Sequence, residues 1–149
     1  MFLKSNRLII GSDHGGFELK SYLISYLESK GIDVVDAGCN SEESVDYPEF
    51  GKKVAHAVAD GEVEAGIVIC GTGIGISVAA NRVKGARATL CHSVEYATLA
   101  RQHNNSNVLA LGGRFVAPKD AEKIVDAWLD TEYEGGRHEK RVQLIDSLD

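Results

Sequence analysis

Short, nearly unbroken apolar runs alternate with longer stretches in which apolar residues recur every three or four positions. The runs are Arg7–Gly11, Asp33–Ala37, Gly66–Cys70, Arg87–Cys91 and Asn107–Leu111. Each is strand-sized, and a continuous apolar run is what a strand covered on both faces requires. The stretches between them read as helices. Leu19, Tyr22, Leu23, Tyr26 and Leu27 share one helical face, and Gly31 supplies the stop. Pro48 suits the start of a second helix carrying Val54, Ala55 and Val58, which ends near Gly61. A third helix follows Gly71-Thr72-Gly73-Ile74-Gly75. Ser93 reads as the N-cap of a fourth, which His103-Asn104 closes. Pro118 opens a fifth, with Ile124, Val125, Trp128 and Leu129 facing inward, and a last amphipathic stretch holds Val142, Ile145 and Leu148.

Strict strand–helix alternation with short connections predicts one α/β domain over residues 1–149. Its form is a three-layer α/β/α, doubly wound, Rossmann-like arrangement around a five-stranded parallel sheet. In such folds ligands collect at the carboxyl ends of the strands. Asp13, His14, Cys70 and the loop Gly71–Gly75 all fall at such ends.

Composition narrows the chemistry. A formal charge of −6 over 149 residues argues against nonspecific nucleic-acid binding, though not against a local pocket for a small anion. The longest apolar runs are too short to span a bilayer. The start, Met-Phe-Leu-Lys-Ser-Asn-Arg, lacks the apolar core of a signal peptide, so a cytoplasmic protein is expected. Cys39, Cys70 and Cys91 are widely spaced and odd in number, which speaks against a disulfide framework or a zinc knuckle. No His-x-x-x-His pair occurs, so a metal site could arise only through tertiary convergence.

The densest chemistry surrounds Gly71–Gly75. Amides at a glycine-rich turn opening a helix converge on negative charge. The spacing is not that of a dinucleotide fingerprint, whose third glycine would stand where Ile76 does, and no Gly-Lys-Ser/Thr follows. The alternative is a tight turn whose glycines serve packing alone. Cys70 is either a small buried hydrophobe or, facing a helix start that favours a thiolate, a group able to take a proton. Asp13 suits a helix cap, and His14 beside it suits a phosphate or a sugar hydroxyl. Arg137 and Arg141, four apart, share a helical face where an anion would relieve their repulsion; a solvated basic face is the plain alternative. Arg114, after Leu111-Gly-Gly, is a third candidate for an anion. His103 and Asn104 read locally as a helix C-cap.

Together these residues resemble the type B ribose-5-phosphate isomerases, grouped with allose-6-phosphate and galactose-6-phosphate isomerases. The matching pieces are GSDHGGF (11–17), DYPEF (46–50), ICGTGIGISVAAN (69–81), RQHNNSNVLALGGR (101–114) and DAWLDTEYEGGRHEKRV (126–142). The resemblance implies an aldose–ketose isomerase acting on ribose 5-phosphate and ribulose 5-phosphate through an enediolate, with no metal or other cofactor. It implies Cys70 as the base and Thr72 beside it. Gly71, Gly73, Ile74 and Gly75 would form the anion-holding loop, and His103 would open the ring, with Asn104 beside it as a substrate contact. Asp13, His14 and Tyr47 would hold the sugar, Arg137 and Arg141 the phosphate, with Arg114 as a further contact. One branch of the family places a glutamate base where this chain has Ile76, so the chain groups with the cysteine branch.

One geometric expectation follows. His103 precedes the fifth strand, hence its amino end, whereas Cys70 ends the third. Strands of this length separate those edges by about 16 Å. If both groups serve one substrate, His103 comes from a neighbouring subunit. The expected assembly is therefore a homodimer with shared sites, or dimers paired into a tetramer, with the C-terminal helix packing on the partner. The rival readings are a hexose 6-phosphate isomerase and a non-catalytic doubly wound phosphate-sensing module. A phospho-receiver would need an aspartate where Cys70 stands.

Overall fold

The structure, a computed structural model, describes residues 1–148; Asp149, the last residue of the expected domain, lies outside the described residues. The strands are β1 (Arg7–Ser12), β2 (Asp33–Asp36), β3 (Gly66–Cys70), β4 (Ala88–Leu90) and β5 (Val108–Gly112). The helices are α1 (Phe17–Ser29), α2 (Tyr47–Ala59), α3 (Ile74–Ala80), α4 (Val94–Asn104), α5 (Pro118–Asp130) and α6 (Arg137–Asp146). All strand pairs are parallel, in the order β2-β1-β3-β5-β4. The expected alternation is therefore present, with boundaries shifted by a residue or two.

The strands alternate their side chains between two cores, as the pleat dictates. Leu8, Ile10, Ile67, Ile69, Leu109 and Leu111 face α1, α4 and α5, where Leu23 and Trp128 are fully buried. Ile9, Val68, Cys70, Val108 and Ala110 face α2 and α3, against Val54, Val58, Ile76 and Ala80. Strands apolar on both faces are the reason the runs looked continuous in sequence. Trp128 keeps its indole N–H satisfied by donating to Ser106 Oγ at 3.0 Å.

Element ends follow the local chemistry. Asp13 accepts from the Gly16 amide, and Ser93 accepts from the Tyr96 amide, as N-caps do. Pro48 and Pro118 sit in the first turns of α2 and α5. The stop of α4 differs from expectation: the left-handed residue is Asn105, φ 48°, one beyond Asn104. Either asparagine tolerates that conformation, and its amide bonds to the Ala100 and Arg101 carbonyls decide which one adopts it.

The chain leaves β1 toward one edge of the sheet, to β2, then crosses back to β3. The carboxyl ends of β1 and β3 therefore flank a topological switch point, where such sheets bind ligands.

Candidate active site

The switch point is closed by main-chain bonds that tie three strand ends together. The Asp13 amide donates to the Ile69 carbonyl at 3.2 Å, and the Gly113 amide to the Cys70 carbonyl at 2.8 Å. The Arg114 amide donates to the Gly71 carbonyl at 3.0 Å. So Asp13 and His14 from β1, Cys70 and its loop from β3, and Arg114 from β5 form one rim. The Arg114 guanidinium lies over Gly71, 3.0 Å from where a β-carbon would stand.

Cys70 is 5% exposed and belongs to the core face shared with Ile76. Its sulfur accepts a hydrogen bond from the Gly73 amide at 3.1 Å. Part of the loop's donor set is thus aimed at the thiol itself, which favours negative charge on sulfur. Gly73 must be glycine for two reasons. Its φ is +79°, and a β-carbon there would stand 2.8 Å from the Leu111 carbonyl carbon. Gly75 is demanded by proximity: a β-carbon would sit 2.6 Å from the Tyr47 ring, so the first turn of α3 and the start of α2 hold Tyr47 against the loop. Thr72 is exposed and its hydroxyl accepts from the Ile74 amide at 3.1 Å. Asp13 is buried. His14 Nδ1 accepts from the Val45 amide at 3.1 Å, which leaves Nε2 as the ring's N–H when neutral. Ile76, at the position of the alternative base, is fully buried.

The remaining candidates gather elsewhere. His103 ends α4, near the amino end of β5, and His138 in α6 stacks on it with ring centroids 4.3 Å apart, 16° from parallel. Glu134 places a carboxylate oxygen 3.9 Å from His103 Nε2 and 3.5 Å from His138 Nε2. Burial pushes His138 below the ordinary imidazole value; His103, Arg137 and Arg141 act the same way, and Glu134 opposes them. Arg137 and Arg141 are exposed along α6, and Asn104 is exposed beside His103. A cleft of about 690 Å³ adjoins this second group, lined by Asn104, Ile145 and the segment 81–89. Cys70 and its glycine loop do not line it.

The structure thus divides the sequence-derived set in two. Cys70, Thr72, the glycine loop, Asp13, His14, Tyr47 and Arg114 are brought together. His103, Asn104, Arg137 and Arg141 form a separate cluster toward the opposite edge. Glu134 and His138 received no role from the sequence. They stand four apart, but Glu134 lies before α6, across Gly135 and Gly136, and the link to His103 is purely tertiary. The other two thiols are quiet: Cys39 donates to the Ser41 carbonyl, and burial pushes Cys91 up.

Comparison with known proteins places the chain in one family. A family model described as Ribose/Galactose Isomerase matches residues 8–145. The chain is 50% identical to ribose-5-phosphate isomerase B of Escherichia coli K12 over 143 residues, 96% of both chains. It is also similar to the solved ribose-5-phosphate isomerase B of Clostridium thermocellum, with 52% identity and a TM-score of 0.93, covering 94% of this chain and 95% of that one. The Mycoplasma genitalium ribose-5-phosphate isomerase B, solved with ribulose 5-phosphate bound, matches at 45% identity and a TM-score of 0.90, covering 94% and 93%.

Proposed function

The chain belongs to the Ribose/Galactose Isomerase family, and we propose that it interconverts ribose 5-phosphate and ribulose 5-phosphate with Cys70 as the base. The observation that carries the reading is Cys70 at the carboxyl end of β3, its sulfur accepting from the Gly73 amide at the start of α3. The thiolate takes the proton from C2 of the open-chain aldose, the C1=C2 bond forms, and charge moves onto the C1 oxygen. The thiol then returns the proton to C1, while the proton of the C2 hydroxyl passes to the C1 oxygen and the C2 oxygen becomes the ketone. Amides of the loop offset the charge of this enediolate, where loss of one donor typically costs about 3 kcal/mol of barrier. Asp13, His14 and Tyr47 hold the sugar hydroxyls, Thr72 lines the loop, and Arg114 lies over it. A thiol that only packs the core would not need the Gly73 donor.

His103 opens the furanose ring, taking the anomeric proton and protonating the ring oxygen, as an imidazole with one accepting and one donating nitrogen can. Its place away from Cys70 supports a homodimer in which each site takes His103 from the partner. Arg137 and Arg141 share α6 with His138, which stacks on His103, so they reach the same site from the same side and anchor the phosphate. Exposed apolar side chains on α3 and α4 support such pairing: Ile74 57%, Val78 60% and Tyr96 62% exposed. The outer face of α6, with Leu144 and Ile145, supports its contact with a partner. Among the described residues no helix is long and apolar enough to cross a membrane, and the three free thiols suit the reducing cytoplasm.

Mixing Cys70→Ala and His103→Ala chains tests the sharing. Random heterodimers then contain one intact site, and the mixture recovers about a quarter of wild-type activity; recovery of none places both residues in one subunit. Rates on ribose 5-phosphate, allose 6-phosphate and galactose 6-phosphate decide the substrate. The pentose is expected to be fastest, and a faster hexose would replace it.

A further inference from the structure

Glu134 has no part in the reaction as described, yet it faces the imidazole on which ring opening depends. Its carboxylate approaches His103 Nε2 and His138 Nε2, while the buried His138 ring covers one face of His103. The chain builds this clasp through its backbone. The Glu134 amide donates to the carbonyl of Gln102, the residue before His103, at 3.1 Å. The Arg101 guanidinium, buried and lying over the Phe2 ring, donates to the Thr131 carbonyl at 3.1 Å and to Asn105 Oδ1 at 3.0 Å. It therefore fixes the end of α4 to the segment that carries Glu134. Two ring nitrogens and a carboxylate oxygen within 4.8 Å also make a candidate cation set. Nearly parallel stacked rings send their nitrogens side by side, however, where a tetrahedral ion needs them to converge. The arrangement suits the holding of a proton-transfer group.

We infer that Glu134 is a positioning residue for His103: its carboxylate, with His138 stacked behind, holds the ring in the rotamer and charge state that ring opening uses. An imidazolium forms when His103 takes the anomeric proton, and a fixed anion on its Nε2 side stabilises that charge. The stacked ring removes rotational freedom before substrate arrives. This rests on the reading of His103 as the ring-opening group.

The two halves of the reaction can be measured apart. Ribose 5-phosphate is cyclic and must be opened. Ribulose 5-phosphate, with its C5 oxygen phosphorylated, is open-chain, so wash-in of solvent deuterium at its C1 needs Cys70 but not His103. Glu134→Ala lowers turnover of ribose 5-phosphate about fivefold, as one half-exposed charge pair allows. Glu134→Gln, which keeps an acceptor oxygen without charge, falls between that variant and wild type. Both exchange deuterium at the wild-type rate. His103→Ala, measured alongside, loses more turnover and keeps exchange. Normal ribose 5-phosphate turnover in Glu134→Ala with a defective His103→Ala overturns the role of Glu134 and leaves that of His103 standing. Equal loss of turnover and exchange in Glu134→Ala makes the residue merely structural, which also overturns it. Normal turnover in His103→Ala overturns the ring-opening assignment itself.

Discussion

The Cys70 rim and the His103 clasp are built from different materials. The rim is main chain: amides, carbonyls and glycines at three strand ends, set by the sheet register that pairs Cys70 with Gly112. The clasp's working groups are side chains, two imidazoles, a carboxylate and arginines from α4, α6 and the segment before α6, most of them partly or wholly exposed, with one main-chain bond from Glu134 to Gln102 pinning that segment. A rim locked into the ladder can hold a reactive sulfur in one place against fixed dipoles. A clasp of side chains on helix ends can meet a substrate seated on another subunit. On the proposed roles, the contrast teaches that the carbon base is a side chain held by rigid backbone, whereas the oxygen proton-transfer group sits among adjustable side chains.

The sharpest way to break the contrast is at the sulfur. Cys70→Ser lowers kcat between about a hundredfold and ten-thousandfold, the span of a positioned acid–base group, while ribulose 5-phosphate still binds by calorimetry. Near-normal turnover would remove the rim from the chemistry. Next comes the backbone itself. Gly73→Ala forces a left-handed alanine whose β-carbon meets Leu111 and Leu90, and urea unfolding should show a loss of about 2–4 kcal/mol. An equivalent change in the clasp, Arg137→Ala, touches no main-chain lock. It leaves stability near wild type and raises KM about ten- to a hundredfold through the lost charge-assisted bond to phosphate, with kcat far less affected. The smallest effect is on stability against pH. His138 holds its proton less tightly in the fold than in the unfolded chain, chiefly through burial. The stability it contributes is complete above its unfolded value near 6.5 and is lost as pH falls through the folded value. The melting temperature should drop between pH 7.5 and pH 5, and His138→Asn should flatten that drop.

Much of the rim was legible because its parts are local. Cys70 and Gly71–Gly75 are contiguous, and Asp13-His14 announces itself between glycines at a strand end. The doubly buried strands wrote the fold as apolar runs. Two details of the rim escaped. The sequence presents the loop as a cradle for an anion, but one of its amides is turned on the Cys70 sulfur. It also gives no sign that Gly75 exists to admit Tyr47, twenty-eight positions earlier. In the clasp, His103 and the arginines stood out as residue types, but Glu134 and His138 did not stand out as partners of His103.

The chain by itself determined the α/β order, the two-faced burial of its strands, the caps at Asp13, Ser93, Pro48 and Pro118, and the chemistry available at Cys70. These follow from periodicity and from bonds between near neighbours, which depend on spacing alone. Tertiary structure decided what those groups face. It set Arg114 over the loop, seated Tyr47 against Gly75, stacked His138 on His103 and placed the two clusters at different edges of the sheet. Such relations depend on strand order and on which helix crosses which face. The order β2-β1-β3-β5-β4 is fixed by long-range packing, in which every strand and helix must be satisfied at once.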